Sequence, residues 1–402
     1  MIQRRQHKSS WRGAAQLATE AVVGLTDLVE AIHARIAFLP AFGTAEAAQR
    51  TRGISGLVYR SVRAVTRTVG DGTQSLLGWL ERGLRTDVES EALPRREREA
   101  LRSALNGVIG DYLAETANPL AIPMHFRTGG RALTLEREAL HACLPDAGPR
   151  PLILLHGLCM NDLQWQRDGH DHGAALARDA GFTPVYLHYN SGLSIAANGR
   201  LLAVQLEQLC DAWPVPIQSL SLLGHSMGGL LARSALHFAS TDEFAHLRWA
   251  KRVRHLVCLG SPHHGAPLEA AGHLIASLLG ATPFASPLAR LAQRRSAGIK
   301  DLRRGNLTGN PHHAVTLPDG PRCFAVAANL KAANPKAATH LLGDGLVSVS
   351  SALGRHRHAA RSLGFPPEHQ AVIHATGHLG LLSSVAVYRQ ILRWLNPPEG
   401  ED

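Results

Sequence analysis

The chain has 402 residues, 45% of them hydrophobic and 18% charged, which is enough for one large domain with an extension or for two domains. Its 42 Lys and Arg against 32 Asp and Glu leave a formal charge of +10. No compact Lys/Arg block is interleaved with aromatic residues, which argues against nucleic-acid binding. The basic runs Arg95-Arg96-Glu97-Arg98 and Arg303-Arg304 read as solvated helix faces. Cys143, Cys159, Cys210, Cys258 and Cys323 are odd in number, widely spaced and without metal-ligand spacing, so a reducing compartment is expected and no metal.

The first residues are basic, but Glu20, Asp27 and Glu30 interrupt the apolar positions beyond them, so no secretory signal peptide is expected. No run of about 18 uncharged apolar residues exists, so no transmembrane helix is expected either. The expectation is a cytoplasmic protein, soluble or at most peripheral to a membrane.

Residues 1–120 read as an N-terminal helical region. Leu17, Val22, Leu25, Leu28, Val29, Ile32 and Ile36 recur at three- and four-residue steps until Pro40 stops the run. Further helical stretches cover about 54–84 and 97–114. This region carries no catalytic constellation. Four roles stay open for it: packing on the following domain, covering its pocket, dimerising, or lying on a membrane surface.

Residues 121–402 read as a second domain. Gly129-Gly130 joins two short apolar runs as a hairpin. Apolar runs at 151–155, 184–188, 219–223, 255–259, 323–327 and 371–374 then alternate with helical stretches at 173–180, 199–213, 228–239 and 381–395. Strands that are apolar throughout and alternate with helices predict a mostly parallel sheet covered on both faces. The long connection at about 266–315, with amphipathic stretches at 268–279 and 287–302, predicts a helical cap.

The strongest local signal is Gly224-His225-Ser226-Met227-Gly228-Gly229, set between an apolar run and a helical one. This is the strand–turn–helix setting of a nucleophile elbow, in which Ser226 projects from a strained turn and bulky side chains at Gly224 and Gly228 would clash. An oxyanion needs two backbone N–H donors. Met227 supplies one, and the loop His156-Gly157-Leu158-Cys159 supplies the other, from Leu158 or alternatively Cys159. His156 is read as holding the loop's shape. A serine needs a histidine base and a carboxylate to orient it, in the chain order Ser, acid, His. His378, between the last strand and the last helix, is the expected base, with His374 second. Asp344, in Gly343-Asp344-Gly345, is the expected acid, while Asp319 in Pro318-Asp319-Gly320 reads as a turn residue. His263-His264 suggests a metal less than it does a shaped loop on the pocket wall.

At these residues the chain resembles bacterial triacylglycerol lipases and esterases of the α/β-hydrolase superfamily. It is also similar to the deacylases that share a Gly-Ser/Thr-Pro-His-x-Gly segment. The likeness rests on His156-Gly157-Leu158, residues 224–229 and 260–265, Asp344-Gly345-Leu346-Val347 and His378, and it spans roughly 123–397. It implies an α/β-hydrolase fold, the triad Ser226, Asp344 and His378, and oxyanion donors on Leu158 and Met227. It also implies an ester or lipid substrate and no cofactor. Hydrolysis of carboxylic esters is the expected activity. Acyl transfer to an alcohol and a non-catalytic lipid- or partner-binding role are the alternatives.

Overall fold

The computed structural model describes residues 95–266, 296–331 and 343–396. Eight strands form one sheet: β1 (His125–Thr128), β2 (Arg131–Ala132), β3 (Pro151–Leu155), β4 (Thr183–His188), β5 (Leu220–His225), β6 (Val253–Leu259), β7 (Arg322–Asn329) and β8 (Gln370–His374). Their order across the sheet is β2-β1-β4-β3-β5-β6-β7-β8. The β1–β2 hairpin turns through Gly129 and Gly130, both at positive φ, and β1 runs antiparallel to β4. From β4 to β8 every neighbouring pair is parallel.

The helices are α1 (Arg95–Glu115), α2 (Arg137–Cys143), α3 (His172–Ala180), α4 (Ile195–Ala212), α5 (Met227–Ala239), α6 (Ala297–Arg304), α7 (Val349–Ala352) and α8 (Val385–Leu395). α4 and α5 cover one face of the sheet with Leu202, Leu206, Leu231 and Ala235. α3 and α8 cover the other with Leu176, Ile391, Trp394 and Leu395. Because both faces are covered, all five residues of β3 and all six of β5 are buried. Each fully buried Leu or Ile side chain contributes about 1.5–3 kcal/mol.

A third apolar cluster decides where α1 belongs. Leu101, Ala104, Val108 and Leu113 of α1 pack with Leu158, Met227, Leu230 and, from α6, Ile299 and Leu302. The helix kinks at Ile109, beside Gly107 and Gly110. A Cβ at Gly107 would lie 2.3 Å from Cys159 Sγ, so this helix presses directly on the loop after β3. Of the helical region expected over 1–120, residues 1–94 lie outside the described residues. Of the expected cap at 266–315, residues 267–295 also lie outside them, and its described end holds α6. Among the described residues no helix is long and apolar enough to cross a membrane.

Candidate active site

From β3 the chain moves to β4 on one side and then to β5 on the other. At such a switch point the loops leaving the carboxyl ends of the strands diverge and open a crevice. Leu155 is in register with Gly224, so His156-Gly157-Leu158 lies beside His225-Ser226-Met227.

Ser226 joins β5 to α5 at φ 54° and ψ −122°. A non-glycine residue there costs about 1–3 kcal/mol and persists only when its surroundings enforce it. They do so by a hydrogen bond from Ser226 N to Leu259 O at 2.8 Å, and by another from Gly229 N to Ser226 O at 3.2 Å. Strand and helix cross closely at this turn. A Cβ at Gly224 would lie 2.4 Å from Gly229 N, and one at Gly228 would lie 2.1 Å from Leu155 O. The serine side chain sits against the neighbouring loop, since a Cβ on Gly157 would be 3.0 Å from Ser226 Cβ.

His378 Nδ1 lies 2.7 Å from Asp344 Oδ2, and both side chains are buried. The other carboxylate oxygen, Oδ1, accepts the N–H groups of Leu346 at 2.9 Å and Val347 at 2.8 Å. The His378 backbone N–H donates to Asp344 O at 3.1 Å. The carboxylate thus receives two amide N–H groups and the imidazole. It fixes the tautomer of His378 with Nδ1 protonated, so Nε2 carries the lone pair. Nε2 is buried and has no hydrogen-bond partner among the described residues. The imidazole is held from behind by His225, whose ring centroid is 4.8 Å away and whose Nε2–H donates to His378 O at 3.1 Å. Burial holds His225 well below the ordinary histidine range, with the nearby His378 adding to the effect, so it stays neutral in this supporting position.

His156 is also a supporting residue. Its ring is fully buried, stacks on Tyr189 at 4.3 Å, and lies with Nδ1 2.8 Å from Gly157 O. Burial brings its pKa down to about 3, so it is neutral. Tyr189 OH donates to His156 O at 2.9 Å and pins the same loop. The Cys159 N–H is already committed to Ser191 Oγ at 3.0 Å. Met227 opens α5, where first-turn amides have no carbonyl within the helix to bond.

The structure does not pair His374 with Asp344. It ends β8 in register with Asn329. Asp319 is exposed in the bend before β7, with Gly320 at φ 100° beside it. Among the described residues no three His, Cys, Asp or Glu side chains are grouped to hold a metal.

Two buried features are not anticipated by any sequence motif. Arg127 on β1 lies 3.0 Å from Glu99 of α1 and 3.1 Å from Asp162, and it donates through Nε to His125 at 2.8 Å. His188 lies 3.3 Å from the same Asp162 oxygen. Burial works against the Asp162 carboxylate, but His188 and Arg127 outweigh it and hold its pKa below the usual range. This cluster ties α1 to the sheet. Its members come from four separate segments, and nothing local in the sequence marks them. The second feature is Arg233, in the middle of α5 and 2% exposed. A single arginine inside an otherwise uncharged, mostly buried helix is the signal that could have found it.

A mostly parallel sheet covered on both faces, with a strand–turn–helix serine and a carboxylate–imidazole pair on the following loops, is an α/β-hydrolase fold. Residues 146–286 match the family described as PGAP1-like alpha/beta domain, a span that includes His156, Leu158 and Ser226 and ends before Asp344. Among solved structures the chain is similar to Bacillus licheniformis lipase BlEst2 in mature form (18% identity, 68% of this chain and 97% of that one, TM-score 0.42). It is similar also to lipase 1 from Pelosinus fermentans (12% identity, 62% of this chain and 99% of that one, TM-score 0.42). A third is the naproxen esterase of Bacillus subtilis (16% identity, 62% of this chain and 86% of that one, TM-score 0.36). No curated relative matches the chain significantly.

Proposed function

We propose that the chain is a serine hydrolase of carboxylic esters, with Ser226 as nucleophile, His378 as general base and acid, and Asp344 as the group that orients it. The observation that carries this reading is the Asp344–His378 pair, 2.7 Å apart and buried, which leaves Nε2 of the histidine without a partner among the described residues.

Nε2 takes the Ser226 hydroxyl proton as Oγ bonds to the ester carbonyl carbon. The carbonyl electrons move to oxygen, and the N–H groups of Leu158 and Met227 hold that oxyanion. The first helical turn of α5 adds its positive end. Asp344 stabilises the imidazolium without taking its proton. When the intermediate collapses, the C–O bond breaks and the alcohol leaves with the proton from Nε2. Water then attacks the acyl-enzyme, His378 takes its proton, and the acid is released as the proton returns to Ser226. The reaction needs no metal or cofactor.

The test is hydrolysis of p-nitrophenyl esters of increasing acyl length by the full chain and by Ser226→Ala. Turnover of some of the series, lost in the variant, is the expected result. Turnover that survives Ser226→Ala contradicts the reading.

A further inference from the structure

The loop after β6, Ser261-Pro262-His263-His264-Gly265, contributes His263 and His264 to the wall of a cavity. Arg233 is seven residues beyond Ser226 on α5, about 10 Å at 1.5 Å per residue. Its side chain lines a cavity of about 130 Å³, room for a few water-sized groups or one tetrahedral oxyanion. His263, His264, Arg304, His356 and Arg361 also line it, and none of the lining residues is acidic.

The bonding inside this cavity is one-sided. Arg233 Nη1 lies 3.1 Å from His263 Nδ1, and Nη2 donates to Val315 O at 2.6 Å. A guanidinium has donors only. His263 Nδ1 therefore accepts, and its proton sits on Nε2. That Nε2–H is buried with no acceptor among the described residues, and so is the Nε–H of Arg233. Arg233 is 2% exposed and His263 4% exposed. Burial draws the Arg233 guanidinium down to about 10, still charged at neutral pH. Among the described residues no carboxylate pairs with it. A buried arginine without a counter-charge is costly. Its own Nε–H and the His263 Nε2–H, both without acceptors among the described residues, together with two further arginines at the rim, define the complement: a compact anion with several acceptor oxygens.

We infer that the cavity lined by Arg233, His263, Arg304 and Arg361 binds a phosphoryl group, free or as part of a headgroup, at a site separate from the Ser226 turn. A phosphoryl group offers tetrahedral oxygens to converging N–H donors, and arginine binds it through paired hydrogen bonds. Sulfate shares this shape, whereas chloride cannot bridge donors set apart in this way. The inference stands independently of ester hydrolysis, because binding can be read without turnover.

The test is calorimetric titration of the full chain with inorganic phosphate, in chloride buffer of constant ionic strength. One saturable site is expected, weakened about tenfold or more in Arg304→Gln/Arg361→Gln, since each lost guanidinium removes a charge-assisted contact. Both positions are exposed, so this variant is expected to fold. Arg233→Gln is expected to abolish the site. If that buried substitution unfolds the chain, the double variant still decides. Glycerophosphocholine, a phosphodiester, separates the sources. Competition with phosphate marks a headgroup site, and failure to compete marks a site for free phosphate or a phosphomonoester. Absence of binding over chloride, or equal binding by the double variant, would overturn the inference.

Discussion

His378 and His263 stand on loops at the same edge of the sheet, both buried and both engaged through Nδ1, yet they are prepared for opposite work. The partner of His378 is a carboxylate, so Nδ1 donates and Nε2 is left as a base. The partner of His263 is a guanidinium, so Nδ1 accepts and Nε2 is left as a donor. In each case the outer nitrogen has no partner among the described residues. What an imidazole can do is therefore set by the charge behind it. An anion behind the ring makes a proton acceptor suited to a serine, and a cation behind it makes a hydrogen-bond donor suited to an anion.

The contrast breaks most severely at the triad. Ser226→Ala is expected to lower kcat on a p-nitrophenyl ester by roughly four to six orders of magnitude, and His378→Ala by a similar factor. The double variant should be no worse than either, because the two act as a unit. Asp344→Asn should cost roughly 10⁴ in kcat, since an amide in place of the carboxylate favours the wrong tautomer. Its melting temperature should change far less than its rate.

Acid tests the neutral histidines. Burial lowers His156 to about 3 and His172 to about 4, and it holds His225 and His263 well below the ordinary value. In the unfolded chain these groups bind a proton near pH 6.5, so below that pH the unfolded state holds more protons and folding stability falls. Between pH 6.5 and 5 each is expected to cost up to about 2 kcal/mol, from about 1.4 kcal/mol per pH unit. Urea midpoints measured across that window should fall steadily. A midpoint flat from pH 6.5 to 5 would contradict the neutral assignment.

The smallest effect is expected at the α1 contact. Gly107→Ala places a methyl against Cys159 and should cost about 1–3 kcal/mol by overpacking, with a loss in kcat from the displaced Leu158 amide. Unchanged kcat at an altered melting temperature would show that α1 supports the fold without shaping the oxyanion loop.

Much of this architecture is legible in the residues. The apolar runs that become β3, β5, β6 and β7 stand out because a strand buried on both faces has no polar alternation to blur it. The glycines of the Ser226 turn, and the chain order of serine, acid and histidine, point to the residues that the fold brings to one edge. Boundaries are harder to read. α4 begins at Ile195, capped by Ser194, well before Gly199, because that glycine lies inside the helix where Ser234 of α5 comes close. The last helix, α8, is preceded by a separate turn at Leu379–Leu382 and is capped by Ser384. Least legible are the contacts between distant segments: α1 on Cys159, Arg127 between Glu99 and Asp162, and Arg233 on His263. Each is made of ordinary residues that acquire meaning only when the sheet brings them together.

The central claim is that Ser226 is made nucleophilic by His378, and covalent labelling tests it most directly. A fluorophosphonate should phosphonylate Ser226 with loss of fluoride, one label per chain by mass spectrometry, and His378→Ala should label far more slowly. A chain that hydrolyses esters yet takes the label on another serine, or labels Ser226 equally fast without His378, would contradict it.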